Sequence, residues 1–255
     1  MEFYFRNKKI DIEGLSSDDH IYKKILENNA FYEIDLLEYI RNIMTYENSV
    51  CIDVGGNIGN HSIFFGGYVA NQVITIEPNT QVIHVLKKNL TKNKTNFSLY
   101  ECAAGASDSF GQVIMPENYK SNIGMAKVKE IKTETEDSFQ IKTLDSIFQE
   151  WLDKKPEFNG KLTFIKIDVE GMEMDVLRGA NIILKKYKPD LFVEAATEKH
   201  FLKINNYLMG FGYSKLSKWA DTPVYHFSCK PSIIMRYKIF LYKTKLHYWS
   251  FMHKK

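Results

Sequence analysis

The sequence has no uninterrupted apolar run of about 18 residues, so nothing in it reads as a membrane-spanning helix. Its opening, "MEFYFRNKKIDIEG", lacks an apolar stretch behind the charges, which predicts no standard signal peptide. Low-complexity tracts and Pro/Gly-rich linkers are missing as well, and the 44% hydrophobic composition of the 255 residues is enough to fill one sizeable core. Extensive disorder is thereby excluded. Cysteine is scarce. Cys51, Cys102 and Cys229 are odd in number and have no metal-type spacing, and the first two sit in apolar strand-like runs. They read as reduced, buried thiols of a cytoplasmic protein rather than as a disulfide framework or a nucleophile. Basic charge is confined to one end: residues 230–255 carry seven Lys or Arg and no acid, leaving 27 Lys or Arg against 31 Asp or Glu before them. A basic nucleic-acid-binding surface is not expected.

What is present is an alternation of strand and helix patterns. Residues 18–47 space Ile21, Ile25, Leu26, Ile34, Leu37, Ile40 and Met44 at three and four, predicting two helices, and residues 1–47 are taken as an N-terminal helical cap. Then come "SVCIDVG", a helix from about Gly59 to Val69, "QVITIEP", a helix from about Gln81 to Leu90, and "FSLYECAA". Further on, "KLTFIKIDVEG" and "PDLFVEA" flank a helix at about Glu173 to Lys186, and "YSKLSKW" with "PVYHFS" reads as a closing antiparallel hairpin. The expectation over 48–229 is an α/β domain with a mostly parallel sheet. Residues 106–141 break the rhythm: "GQVIMPE" and "DSFQIKT" read as strands around a polar stretch, predicting a hairpin or lid that includes "SNIGMA", Ser121 to Ala126.

Ligands of open parallel sheets bind beyond the carboxyl ends of the strands. The polar candidates fall there. Asp53, Gly55, Gly56, Asn57 and Gly59 follow the first strand of the domain, and Glu77 ends the second, placed to accept hydrogen bonds from both hydroxyls of a ribose. A dinucleotide site needs G-x-G-x-x-G, but counting from Gly55 the third and sixth positions are Asn57 and Asn60, and from Gly56 they are Ile58 and His61. The run fits D-x-G-x-N-x-G, with an acid suited to an ammonium group. A nucleoside joined to an amino acid without phosphate is S-adenosylmethionine, with S-adenosylhomocysteine as its product.

At these residues the sequence resembles the FkbM-type methyltransferases. The resemblance runs from about Phe31 to Phe227 through "CIDVGGNIGNHS", "ITIEPN", "ECAAGASD", "KTLDSI", "FIKIDVEGMEMDVLRGA" and "PDLFVEA". It implies a Rossmann-like class I methyltransferase with a seven-stranded sheet. Asp53, Gly55, Gly56, Asn57 and Gly59 would surround the methionine part, Glu77 and Pro78 the ribose, and Ala103 and Ala104 the adenine. With the basic tail, it also implies methylation of a sugar hydroxyl of a glycan, glycolipid or polysaccharide precursor. The alternative is a non-catalytic scaffold in a glycan-assembly complex.

In "KIDVEG", period-two alternation puts Lys166, Asp168 and Glu170 on one side. An alcohol needs a base as it attacks. Asp168 is the first candidate and Glu170 the second, with Glu194 as an orienting acid; Asp168 and Glu170 are also open to roles on the cofactor's ammonium or a divalent cation, and Glu170 to capping the helix near Met172. No residue is assigned as a metal ligand. His61, His84 and His200 compete for the base, each with a packing or surface reading, and Tyr32 and Glu33 stand where the entering helices could cover the cofactor. A D/N-P-P-Y run is absent after the fourth strand, and Glu194 stands where a Lys-Asp-Lys-Glu RNA methyltransferase set would want lysine. In the tail, Ile233, Ile234, Tyr237, Phe240, Leu241, Tyr248 and Met252 gather on one helical arc, with Arg236 and Lys243 on one flank and Lys238 and Lys245 on the other. This predicts an interfacial helix that holds a cytoplasmic protein at the inner face of the membrane, against the alternative of a helix docked on its own domain or on a partner subunit.

Overall fold

In the computed structural model the structure describes all residues except 18, 45–46, 115–126, 132, 230 and 253–255, and no side chains for 127 and 245–252. The expected sheet is present. β3 (Ser49–Val54), β4 (Gln72–Ile76), β5 (Phe97–Tyr100), β10 (Lys161–Ile167) and β11 (Asp190–Glu194) are parallel, and β12 (Ser214–Trp219) and β13 (Val224–Ser228) close one edge as an antiparallel hairpin. The order is β12-β13-β11-β10-β3-β4-β5, so the chain leaves β3 towards one edge and returns to β10 on its other side. Strand order reverses between β3 and β10, and their carboxyl ends form the crevice in which such sheets bind ligands. All six residues of β3 are buried, as a central strand covered on both faces requires.

One face is covered by α1 (His20–Asn28), α2 (Ile34–Met44), α3 (Asn60–Tyr68) and α4 (Thr80–Lys92), and the other by α5 (Leu144–Asp153), α6 (Glu173–Arg178) and α7 (Glu198–Met209). Local chemistry starts several of them: the side chains of Asn79, Thr143 and Thr197 accept from backbone N–H groups in the first turns of α4, α5 and α7. The predicted helix over 173–186 is interrupted after Arg178 and resumes as a π-helical turn at Ile183–Tyr187. A Cβ at Gly179 would lie 2.0 Å from the Gly105 carbonyl oxygen, so the chain there must pass bare against another loop.

One expectation is corrected. Residues 1–47 are not all helical at their start, because β1 (Glu2–Phe5) and β2 (Lys8–Asp11) form a hairpin whose Phe3, Phe5 and Ile10 pack on the same core as α2 and α3. The insertion holds the two expected strands as an antiparallel pair, with one strand more. β6 (Ala103–Ala104), β9 (Phe139–Lys142), β7 (Ser109–Ile114) and β8 (Lys127–Ile131) make a second sheet in that order, with β8 drawn from the polar stretch between the two expected strands. Three of the five residues of β8 are charged, and the strand is held by pairing with β7, which composition does not encode. The "SNIGMA" segment lies outside the described residues.

Asn89 joins the N-terminal arm to the domain. From a fully buried position its amide donates to the carbonyls of Glu13 and Ile58, at 2.8 Å each, and accepts from the Glu13 N–H at 2.9 Å. Asn89→Ala leaves these backbone groups without partners and is expected to cost about 2–3 kcal/mol in urea unfolding, far more than an exposed Asn→Ala change on α4.

Candidate active site

The chain leaves β3 through a turn that only glycine permits. Gly55 has φ +91°, and a Cβ there would stand 1.9 Å from the Asp168 carbonyl oxygen. The N–H groups of Gly55 and Gly56 donate to the Ile76 carbonyl at the end of β4, which ties the turn to the next strand. Asn57 then adopts φ +46°, which aims its N–H at Glu77 Oε2, 2.8 Å away; the Asn79 N–H donates to Oε1 at 2.9 Å. Glu77 is buried. Burial raises its carboxyl, the two N–H groups pull it back, and it comes to rest at about 7.

Two cavities meet at this turn. The first, about 660 Å³, lies between Glu77, Pro78 and Asn57 on one side and Ala103, Ala104, Val113 and Val128 on the other, so the second sheet supplies its apolar wall. The second, about 850 Å³, is bounded by Tyr32, Glu33, His61, Glu194 and Thr222. Gly55, Asn57, Asp168 and Glu170 border both. The buried Asn57 Oδ1 has no hydrogen-bond partner. Asp53 and Gly59 border neither. Asp53 lies beneath the turn, accepting from Ser62 Oγ at 2.5 Å, and burial raises its carboxyl against the pull of His61 and of that hydroxyl; Gly59, at φ +92°, starts α3. The D-x-G-x-N-x-G pattern that singled out Asp53 did not reveal its hydrogen bond from Ser62, on the following helix.

Two acids that border the second cavity, Asp168 and Glu194, join a buried lysine. Lys166 has no solvent exposure, and its ammonium lies 2.7 Å from Asp168 Oδ2. Burial works against both charges, but each sustains the other: Lys166 stays protonated, and Asp168 is held well below the usual carboxylate range by Lys166 and by a hydrogen bond from Glu194. Burial and the Asp168 charge push Glu194 far up, so it keeps its proton and donates. Glu170 departs from the predicted alternation. β10 ends at Ile167, and Glu170 sits in the left-handed region at φ +41°, where it borders the cavities instead of capping α6; the Gly171 N–H is taken by Glu173.

Glu33 and His61 reach the same cavity from outside the sheet. Tyr32 and Asn60 exchange two hydrogen bonds, Tyr32 N–H to Oδ1 at 3.0 Å and Nδ2 to the Tyr32 carbonyl at 3.1 Å, which pins the entry to α2 over the start of α3. Glu33 follows at φ +55°, and its Oε2 faces His61 Nε2 at 3.3 Å without the alignment of a hydrogen bond. One ligand-type atom each of Glu33, His61 and Asp168 lies within 4.8 Å of the others. His61 is thus a cavity residue rather than a surface one. His84 is exposed on α4, and His200 contacts the buried Glu173 at 3.4 Å instead of bordering the cavity. Lys166 had no assigned place in the site, although a lysine inside an apolar strand two residues before an acid was a usable signal. Nothing local marked Val113, Val128 or Thr222.

The sequence profile described as the Methyltransferase FkbM domain matches residues 53–215. The chain belongs to the FkbM methyltransferase family. Methyltransferase sdnD of Sordaria araneosa is 25% identical over 203 residues, 66% of this chain and 74% of that protein. Methyltransferase 1 of Beauveria bassiana (strain ARSEF 2860) is 25% identical over 146 residues, 52% and 59% of the two chains. The crystal structure of methyltransferase FkbM from Methylobacillus flagellatus KT superposes with a TM-score of 0.53 at 18% identity, covering 79% of this chain and 49% of that one. This FkbM chain therefore spans about half the length of that solved relative, and the likeness carries the Rossmann-like fold. The glycine turn has no room for a side chain at Gly55: Gly55→Ala is expected to lower thermal stability by at least about 2 kcal/mol and to close the junction of the cavities, which a melting curve and a crystal structure of the variant would check.

Proposed function

We propose that this FkbM protein is an S-adenosylmethionine-dependent O-methyltransferase acting on a sugar hydroxyl of a glycan, glycolipid or polysaccharide precursor. The observation that carries the reading is the meeting of the two cavities at Asp168. One suits a nucleoside, with the Glu77 carboxylate for a ribose diol and an apolar slot for a base; the other is lined by acids and an imidazole, which suit a polyhydroxylated acceptor. The cofactor fits this chain's own features. The bare turn at Gly55 leaves room that a side chain would fill, and the unpartnered Asn57 Oδ1 offers an acceptor to the cofactor's ammonium. When bound, the cofactor supplies a methyl group on a positively charged sulfur.

The protein's part is to hold the acceptor hydroxyl and take its proton. Asp168, kept anionic by Lys166, accepts a hydrogen bond from the acceptor, and the protonated Glu194 donates one, so the pair orients a hydroxyl without itself being a strong base. Glu170 completes the acid border. The proton goes to His61 Nε2, which Glu33 faces and steadies. This moves the base from Asp168, the first candidate on sequence, to His61, for the reason that a carboxylate paired with a buried ammonium has little affinity for a proton.

Calorimetric titration is expected to show micromolar-range binding of S-adenosylmethionine and none of NAD, with the binding lost in Glu77→Ala. A ribose diol donates to ionised Glu77, so affinity should rise as pH is raised through about 7, and Glu77→Gln should flatten that dependence. The ligand-free protein follows the opposite sign. Its Glu77 is harder to ionise folded than unfolded, so stability falls as pH climbs from the ordinary carboxylate range towards about 7. In a screen of nucleotide sugars and methyl glycosides read by S-adenosylhomocysteine release, His61→Gln and Asp168→Asn should each lower turnover by roughly 10²-fold or more with cofactor affinity largely retained. Cofactor binding without turnover on any such acceptor would favour the non-catalytic scaffold.

A further inference from the structure

We propose that α8 (Ile233–Met252) is an interfacial anchor that holds the protein on an anionic lipid surface. The helix is apolar on two opposite sides. One side docks on the protein: Met235 and Ile239 are buried in the core shared with α2, and Tyr242 packs on Tyr39 and Trp219 and donates to the Asp35 carbonyl at 3.3 Å. At 100° per residue these three lie within one arc, which satisfies the helix's need for a partner on that side. The opposite arc holds Ile233, Ile234, Tyr237, Phe240 and Leu241, between 45% and 87% exposed. Docking on its own domain therefore does not account for the second stripe.

The cations stand at the borders between the two stripes. Arg236 and Lys243 fall on one border and Lys238 on the other, all exposed, and Lys243 reaches the Leu216 carbonyl at 3.4 Å. No acid occurs anywhere in residues 230–255. An apolar stripe edged on both sides by positive charge matches the boundary between acyl chains and anionic headgroups. The apolar side chains enter the acyl region while the cations remain at headgroup level. Lipid is favoured over a second copy of this chain because two such faces would bring cationic borders together with no acid on either helix to offset them. Among the described residues no helix is long and apolar enough to cross a membrane, so the contact is peripheral. The anchor sits beside the acceptor cavity, since Asp35, which receives the Tyr242 hydroxyl, is two residues from Glu33.

The test is flotation of the full chain with vesicles of phosphatidylcholine alone and of phosphatidylcholine with phosphatidylglycerol. The wild type should float with the second and not the first. Tyr237→Ser/Phe240→Ser/Leu241→Ser should abolish flotation, and Arg236→Gln/Lys238→Gln/Lys243→Gln should weaken it by roughly 100-fold. All six positions are exposed or border residues, and circular dichroism would confirm that both variants keep the fold. Absence of wild-type binding to the anionic vesicles, equal binding to both vesicle types, or wild-type behaviour of both variants would overturn the proposal. So would a wild-type dimer in sedimentation velocity that the serine variant makes monomeric, which would assign the face to a second copy.

Discussion

A lysine with no access to water stands on the central strand of the sheet, and the chemistry of the site follows from neutralising it. An unpaired buried ammonium would cost several kcal/mol, so Asp168 must remain ionised beside Lys166. Once Asp168 is anionic, a second carboxyl in hydrogen-bond reach cannot also ionise, and Glu194 keeps its proton. One buried charge thus produces an acceptor and a donor side by side at the carboxyl ends of β10 and β11. Neither acid has the properties it would have in water.

The remaining parts of the site are arranged around that pair by elements distant in sequence. The turn after β3 is bound to the end of β4, and Glu77 is held by N–H groups from both sides. The second sheet closes the first cavity with valines, while the entry to α2, pinned by the Tyr32–Asn60 exchange, brings Glu33 to His61 on the border of the other. The two cavities therefore differ in polarity because they are walled by different insertions on a shared floor. The N-terminal segment and the β12–β13 turn contribute Glu33 and Thr222 to the second of them.

The alternation of strands and helices and the closing hairpin were legible because each is carried by local periodicity and turn residues. "DVGGNIG" and Glu77 were legible for the same reason: the turn needs positive φ at Gly55, and the acid ends the next strand. The β1–β2 hairpin was not, since two four-residue strands leave too short a pattern to stand out from irregular chain. Likewise β8 takes its extended form from its neighbour rather than from its own composition.

By itself the sequence determined the Rossmann-like frame, the family and which acids stand at strand ends, because these follow from period, turn stereochemistry and motif order along the chain. Tertiary structure decided what those groups are able to do. It gave Asp53 a partner in Ser62, bound Asp168 to Lys166, kept the proton on Glu194 and drew His61 into the cavity. The physical reason is that ionisation and accessibility depend on burial and on partners tens of residues away, and neither is written in the spacing of neighbours.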